Sequence, residues 1–466
     1  MVTVNSEMFR EYDIRGIAET DLQSDFVYLF GLAAATYFKE LGETRVLVGA
    51  DNRNSSGRIK ESLIAGLTRS GCQVVDIGTV TTPLFYYSRV LYGINAGLMI
   101  TASHNPGEFN GFKVAFGAGT IYGTEILKLR DLSEKINRET TVTVQPVVTE
   151  QVEQREPANA YLEMLAEKIQ LDRKLKVVID CGNGTASLFA EACFERLGCE
   201  VIPLFCESDA NFPNHHPDPV KSSNLHSLRQ TVLEHEADLG IGFDGDGDRL
   251  GVVDNTGRII WGDQLMILYW REILKQHPGA TCIVEVKCSQ ALVEEIERLG
   301  GKPMFYKTGH SLIKAKMKEI GAVFTGEMSG HMFFADEYFG FDDAFYAAGR
   351  LLRILAHSDR KLADLLSNVP QYFSTAETRV PCSDRDKFKV VELFREQLRQ
   401  TNEVIDVDGA RVLYPGGWGL VRASNTQPVI VARCEAKSQA ELDRITAEFK
   451  AKLCAFSEVG AFDWEY

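Results

Sequence analysis

Val177-Val178-Ile179, then Cys181-Gly182-Asn183-Gly184, then a helix-length segment closed by Arg196-Leu197-Gly198, then Val201-Ile202: this stretch decides the fold. β-branched residues, a polar glycine loop, a helical segment, a glycine stop and a second apolar pair read as strand, loop, helix, strand. The same order occurs upstream. Val46-Leu47-Val48 is followed by a Gly/Ser/Asn loop, a helical stretch, Arg69-Ser70-Gly71 and Val74-Val75. It occurs again downstream, where Ile283-Val284-Glu285-Val286 leads through a Cys/Ser loop and a helix to Arg298-Leu299-Gly300. Two strands joined through a helix run parallel. The copies therefore predict three similar α/β domains with largely parallel sheets. The match is short, and generic α/β grammar produces it as readily as duplication.

The last quarter reads differently. Residues 404–407 and 410–413 flank Asp408-Gly409 and predict a β-hairpin with a two-residue turn. Strands are expected at 419–422 and 429–434 and a helix at 439–453, which makes a C-terminal α+β domain. Boundaries are expected near the polar stretch 148–157, at the turn Asp254-Asn255-Thr256-Gly257 and at Asn368-Val369-Pro370. These divide the chain into 1–150, 151–255, 256–368 and 369–466.

The 466 residues are 45% hydrophobic and 25% charged, which excludes wholesale disorder. A net charge of -15 argues against nucleic acid and anionic membranes as partners. An anionic small substrate would need a local basic lining. Ten scattered cysteines without a Cys-x-x-Cys pair, and an opening with Asn5, Ser6 and Glu7 in place of a signal pattern, predict a cytoplasmic protein with reduced thiols. The longest apolar run, 26–38, is too short to span a bilayer, and Ser24-Asp25 is expected to cap it as a core helix.

Four segments carry chemistry. Ala96-Gly97-Leu98-Met99-Ile100 reads as a buried strand that runs into Thr101-Ala102-Ser103-His104-Asn105-Pro106-Gly107. Pro106-Gly107 forces a turn, and a serine at a strand-end turn is held rigidly, as a nucleophile must be. A serine there is also a common helix cap. In Asp244-Gly245-Asp246-Gly247-Asp248-Arg249, three carboxylates alternate with glycines. Like charges about 4 Å apart repel by roughly 4 kcal/mol at an effective dielectric near 20, so the loop calls for a counter-charge. A hard divalent cation fits, and the glycines let the carboxylates converge. A calcium EF-hand needs Gly at the sixth loop position and Glu at the twelfth, where this chain has Arg249 and Asn255.

Lys307-Thr308-Gly309-His310 and Gly326-Glu327-Met328-Ser329-Gly330-His331 offer groups that read sugar hydroxyls. Arg422-Ala423-Ser424-Asn425-Thr426-Gln427-Pro428 offers a phosphate cradle without a Walker lysine. Tyr12-Asp13-Ile14-Arg15-Gly16 and Asn110-Gly111-Phe112-Lys113 add cations near the ends of other segments. Taken alone, the sugar-reading loops and the two cations read more readily as satisfied loops and solvated surface charges, and the phosphate cradle by itself decides little.

Together, and in this order, the segments resemble the α-D-phosphohexomutase family: phosphoserine loop at 101–106, metal loop at 244–249, sugar loop at 326–331, phosphate loop at 422–428. The resemblance spans nearly the whole chain and implies four domains around a central cleft. Met328 and Asn425 are similar to the phosphomannomutase/phosphoglucomutase type rather than the glucosamine type. The implied activity interconverts the 1-phospho and 6-phospho forms of mannose and glucose through phospho-Ser103 and a hexose 1,6-bisphosphate. One Mg²⁺ is implied on Asp244, Asp246, Asp248 and Ser103. Arg15, Lys113, Arg249 and His310 are implied at the reacting end, with His310 and Lys113 as candidates for the general base. Tyr12, Lys287, His310, Glu327, Ser329, His331, Arg422, Ser424, Asn425 and Thr426 are implied as substrate contacts. The implied partner is a small phosphosugar, with the chain a monomer or weak dimer. The alternatives are a phosphoglucosamine mutase and a metal-dependent sugar phosphatase, and a stable phosphoryl on Ser103 would separate a mutase from a hydrolase.

Overall fold

The computed structural model describes residues 2–424 and 427–466. Its first sheet has the spatial order Ile14–Ile17, Phe109–Phe116, Ala96–Ile100, Arg45–Ala50, Gln73–Thr79, Val152–Gln154. Arg45–Ala50 pairs in parallel with both its neighbours. Val46, Leu47 and Val48 are fully buried because helices cover both faces. The second sheet centres on Lys176–Asp180, parallel to Glu200–Leu204 and Leu239–Phe243, with Leu250–Asp254 and Ile259–Ile260 antiparallel at one edge. In the third unit Thr281–Glu285 runs parallel to Lys302–Tyr306, beside an antiparallel pair, Phe324–Gly326 and Met332–Phe334. The three repeated segments are thus three parallel strand pairs, each linked through a helix. The helices are Ser56–Arg69, Ala190–Arg196 and Gln290–Arg298.

The last unit is an antiparallel sheet in the order Phe373–Ser374, Val429–Ala436, Gly417–Ala423, Ala410–Tyr414, Val404–Ile405, with Thr378–Pro381 also on Val429–Ala436. Helices Lys387–Arg399 and Gln439–Leu453 pack against it. One apolar cluster runs from Leu47 through Ile179 and Phe243 to Leu352 and Leu366, so it joins the first three units. The fourth unit has its own cluster, from Val380 to Phe462.

Two expectations need correction. The hairpin holds, but its connection is 406–409 and not two residues, because Val404 pairs with Val412 and Ile405 with Arg411. Asp406 leaves the strand to reach Arg399, and Asp408 turns to Arg422. The helix over 26–38 spans Ser24–Glu40, so Ser24 lies inside it. Gln23 is the residue before it, and no side chain caps the end. Asp25 instead accepts from the Phe26 N–H at 2.7 Å, an acid in the first turn facing the positive helix end. No helix among the described residues is long and apolar enough to cross a membrane.

Candidate active site

Loops at the carboxyl ends of parallel strands build the site, the usual location for ligands in such sheets. Ala96–Ile100 delivers the 101–107 loop, and Leu239–Phe243 delivers the 244–249 loop. Ser103 is 1% exposed and sits at φ 51°, a left-handed conformation that a serine keeps only when its surroundings impose it. Its N–H donates to Thr101 Oγ1 at 2.8 Å. Its Oγ donates to Asp244 Oδ2 at 2.8 Å and lies 3.2 Å from His104 Nδ1. Glycine at 245 is a steric requirement, because a Cβ there would lie 2.3 Å from the Ser103 carbonyl oxygen.

Asp244, Asp246 and Asp248 are completely buried, and one carboxylate oxygen of each lies within 4.8 Å of the others. Asp244 Oδ1 accepts from the N–H groups of Asp248 and Arg249 at 3.0 and 3.1 Å. Asp246 Oδ2 accepts from Thr82 Oγ1 at 2.6 Å, Thr101 Oγ1 at 3.2 Å and Lys113 Nζ at 2.9 Å. Lys113 also bonds Asp248 Oδ2. Burial, and then the neighbouring Asp248 and Asp246, hold the Asp244 carboxyl well above the usual carboxylate range. Burial opposes ionisation of Asp248 too, but Lys113 and His331 outweigh it and hold that group well below the range. The predicted like-charge repulsion is therefore present, and the protein answers part of it with Lys113. Buried Asp246 Oδ1 has no hydrogen-bond partner among the described residues. Three converging carboxylates, one of which has an orphaned oxygen, beside a serine hydroxyl suit a hard divalent cation.

The other predicted residues surround this centre. Arg249 Nε lies 3.3 Å from His331 Nε2 and 3.9 Å from Asp244 Oδ2, and Nη1 lies 3.5 Å from His104 Nε2. Arg15 pairs with Asp13 at 2.7 Å and donates to Asn105 of the serine loop at 2.8 Å. His331 bridges Glu327, at 2.8 Å, and Asp248, at 3.1 Å. Burial works against its charge, but Asp248 and then hydrogen bonds to Asp248 and Glu327 raise it to about 9. Ser329 Oγ lies 3.3 Å from His331 Nδ1. An isolated bridge between Arg249 and His331 ties the acidic loop to the 326–331 loop. The Tyr12 ring stands edge-on to His310 at 5.3 Å. Burial and then Lys314 hold His310 well below its usual pKa, and its Nδ1 has no hydrogen-bond partner among the described residues.

At the far end, Lys287 Nζ lies 2.9 Å from Glu377 and 3.2 Å from Glu285. Arg422 Nε donates to Asp408 Oδ2 at 2.8 Å, and the Thr308 N–H donates to the same oxygen at 3.2 Å. Ser424 Oγ accepts from the Gln427 N–H at 3.1 Å. Asn425 and Thr426 lie outside the described residues. Sequence reasoning missed Thr82, Asp408, Glu377 and Arg53. Arg53 carried a signal, since it lies in the loop after the parallel strand Arg45–Ala50, the same kind of position as Ser103.

Comparisons with known proteins agree across the whole chain. Family models described as phosphoglucomutase/phosphomannomutase α/β/α domains I, II and III match residues 6–141, 159–257 and 261–373. The C-terminal domain model of the same family matches 377–452. A phosphomannomutase/phosphoglucomutase of Pseudomonas aeruginosa is 44% identical over 97% of this chain and 96% of its own. A phosphoglucomutase of Neisseria gonorrhoeae is 41% identical over 97% of each. The crystal structure of a phosphoglucomutase/phosphomannomutase family protein from Burkholderia thailandensis superposes with a TM-score of 0.90 at 38% identity and covers 100% of both chains.

Proposed function

The chain belongs to the phosphoglucomutase/phosphomannomutase family and is a hexose phosphate mutase, and from that premise we propose that it interconverts the 1- and 6-phosphates of mannose and glucose with Ser103 as phosphoryl carrier. The observation that carries this reading is the Ser103 hydroxyl, buried and 2.8 Å from Asp244, in a triplet of carboxylates. The oxygens at C1 and C6 lie on opposite sides of a hexose, so one phosphoryl cannot pass directly between them. In the forward step the Ser103 Oγ–P bond breaks and a bond forms from phosphorus to the free sugar hydroxyl, whose proton goes to a base. The resulting 1,6-bisphosphate turns round, and its other phosphoryl returns to Oγ.

Phosphoryl transfer is mainly positioning and charge stabilisation. Asp244, Asp246, Asp248 and an oxygen on Ser103 would hold Mg²⁺. When bound, that ion neutralises charge on the transferring group. Lys113, Arg249 and Arg15 contribute fixed positive charge at the same end. His310 is our assignment for the proton acceptor: burial keeps it neutral, and its Nδ1, 3.8 Å from Asp342 Oδ2, makes no hydrogen bond among the described residues. Lys113, the other candidate, is held as a cation. Burial opposes its charge, but Asp246 and Asp248 raise it well above its usual pKa, so it acts by charge.

Glu327, Ser329 and His331 would bind sugar hydroxyls, with Tyr12 at the wall of the cleft. Lys287, Arg422, Ser424, Asn425 and Thr426 would take the phosphate that is not reacting. The four units of this reading meet near residues 150, 255 and 368, with Val152–Gln154 extending the first sheet and Ile259–Ile260 the second just past the first two junctions. All these groups come from one chain, so a monomer or weak dimer suffices. A cytoplasmic setting goes with ten free cysteines. The test is a coupled assay on mannose 1-phosphate and glucose 1-phosphate with and without a chelator. Conversion of both, lost on chelation and restored by Mg²⁺, is expected. Failure to convert either sugar, or conversion indifferent to chelation, overturns the reading.

A further inference from the structure

Among the described residues the loop Asp51-Asn52-Arg53 makes no hydrogen bond to a reacting group, yet it holds the serine loop directly and reaches the acidic loop through Thr185. The Arg53 side chain is 1% exposed. Its guanidinium has five N–H donors, and all five are used. Nε donates to Asp51 Oδ2 at 3.1 Å. Nη1 donates to the carbonyls of Pro106 and Phe109 at 2.6 and 3.0 Å. Nη2 donates to the carbonyls of Ser103 and Asn105 at 2.8 and 2.6 Å. One cation thus holds three carbonyls of the serine loop and that of Phe109, the first residue of the next strand. Asp51 holds that cation in turn, and its Oδ1 accepts from the Arg53 N–H at 3.1 Å and from Ser56 Oγ at 2.5 Å.

Asn52 faces the second unit. Its N–H donates to Thr185 Oγ1 at 3.1 Å, and Thr185 Oγ1 donates back to Asn52 Oδ1 at 3.1 Å. Asn52 Nδ2 donates to the Asn183 carbonyl and to Ser208 Oγ, both at 2.9 Å. The Thr185 N–H then donates to the carbonyl of Gly245, inside the acidic loop, at 2.9 Å. The circuit closes at one atom. The Ser103 carbonyl held by Arg53 is the oxygen against which Gly245 leaves no room for a Cβ.

We infer that Asp51-Asn52-Arg53 is a positioning brace that sets the register between the phosphoryl carrier Ser103 and the carboxylates of the acidic loop. This rests on the reading of Ser103 as the carrier. Arg53 imposes the left-handed conformation at Ser103 through the carbonyls around it, and Asn52 fixes how far the two units can slide past each other. Both act through other residues, so their loss should lower the rate of transfer and leave sugar binding in place.

The test compares wild type, Asn52→Ala and Arg53→Lys. A lysine has three donors and cannot hold four carbonyls and Asp51 together. Three quantities are read: kcat and KM for glucose 1-phosphate, thermal midpoint, and phosphoryl uptake on Ser103 from glucose 1,6-bisphosphate. A misplacement near 1 Å costs about 100-fold in rate. We expect kcat to fall about 100-fold in Arg53→Lys and about 10-fold in Asn52→Ala, with KM within about twofold of wild type. Phosphoryl uptake should slow in parallel. Asn52 is partly exposed, so its variant decides the matter should Arg53→Lys not fold. A folded Asn52→Ala with wild-type kcat, or with kcat and KM degraded together, overturns the brace. Wild-type turnover in the same experiment keeps this failure distinct from failure of the mutase reading.

Discussion

The two ends of the cleft are built on opposite plans. At the reacting end Ser103, Lys113 and the three aspartates are 0–3% exposed, and one apolar cluster joins the units that carry them, beside a second cluster internal to the first unit. At the phosphate end, cations of one unit meet carboxylates of another. Lys287 of the third unit pairs with Glu377 of the fourth, and Asp408 of the fourth accepts from Thr308 of the third. The fourth unit has a core of its own, and Asp408 and Glu377 remain 17% and 32% exposed. The difference teaches how one cleft serves a substrate that must turn round. On the reading proposed above, the reacting end is fixed by burial, and the far end combines a small apolar contact, Val286 against Trp418 and Leu420, with ion pairs that a phosphate would replace.

Four results would sharpen or break that contrast. Ser103→Ala should abolish turnover in the coupled sugar-phosphate assay while the thermal midpoint stays near wild type, because the carrier has no substitute. Residual mutase activity would show that the reacting end is not what it is taken to be. Arg422→Ala should raise KM roughly 10- to 100-fold, the worth of one or two hydrogen bonds to a charged group, with a smaller effect on kcat. A kcat loss larger than the KM rise would erase the distinction between the two ends.

Glu377→Gln should act more gently. Burial opposes ionisation of Glu377, but Lys287 holds it down to about 2, so at neutral pH it would compete with the phosphate that the proposed reading puts on that lysine. Leaving Lys287 with Glu285 as its remaining carboxylate should lower KM about two- to threefold, and loss of the Glu377 charge, on a side chain 32% exposed, should cost about 1 kcal/mol of stability. An unchanged KM with lost stability would make the pair purely structural. The smallest effect belongs to Asp343, whose buried carboxyl faces Tyr161 and Tyr338. Burial raises its carboxyl to about 6, although Tyr338, Tyr161 and the Tyr346 N–H donate to it. The folded state holds this proton more tightly than the unfolded chain. Its stabilising contribution is therefore full below about pH 3.9 and lost as pH rises through 6. Thermal midpoints of wild type should fall relative to Asp343→Asn between about pH 4 and 6 and run parallel to it above that, and curves parallel throughout would contradict this.

Much of this was legible because strand and loop chemistry is local. The repeated strand–loop–helix segments identify the parallel pairs, and the alternating Asp and Gly of 244–248 identify a convergent acidic loop. The clean strand at Ala96–Ile100 and the helix at Gln439–Leu453 follow from periodicity. What escaped depends on contacts distant in sequence. Arg53 meets Ser103 across 50 positions, and Thr82 meets Asp246 across 164. Neither stretch differs locally from a polar loop or a helix start. The two-residue hairpin failed because Asp406 and Asp408, both within the longer connection, turn to Arg399 and Arg422.

The central claim is that Ser103 carries the phosphoryl group beside a cation-dependent acidic triplet. The most direct measurement charges the protein with glucose 1,6-bisphosphate, maps the modified peptide by mass spectrometry, and chases with glucose 6-phosphate in Mg²⁺ or chelator. A phosphoryl on the peptide containing Ser103, discharged to the sugar only in Mg²⁺, is predicted. A phosphoryl on another residue or on none, or discharge that proceeds equally in chelator, would contradict it.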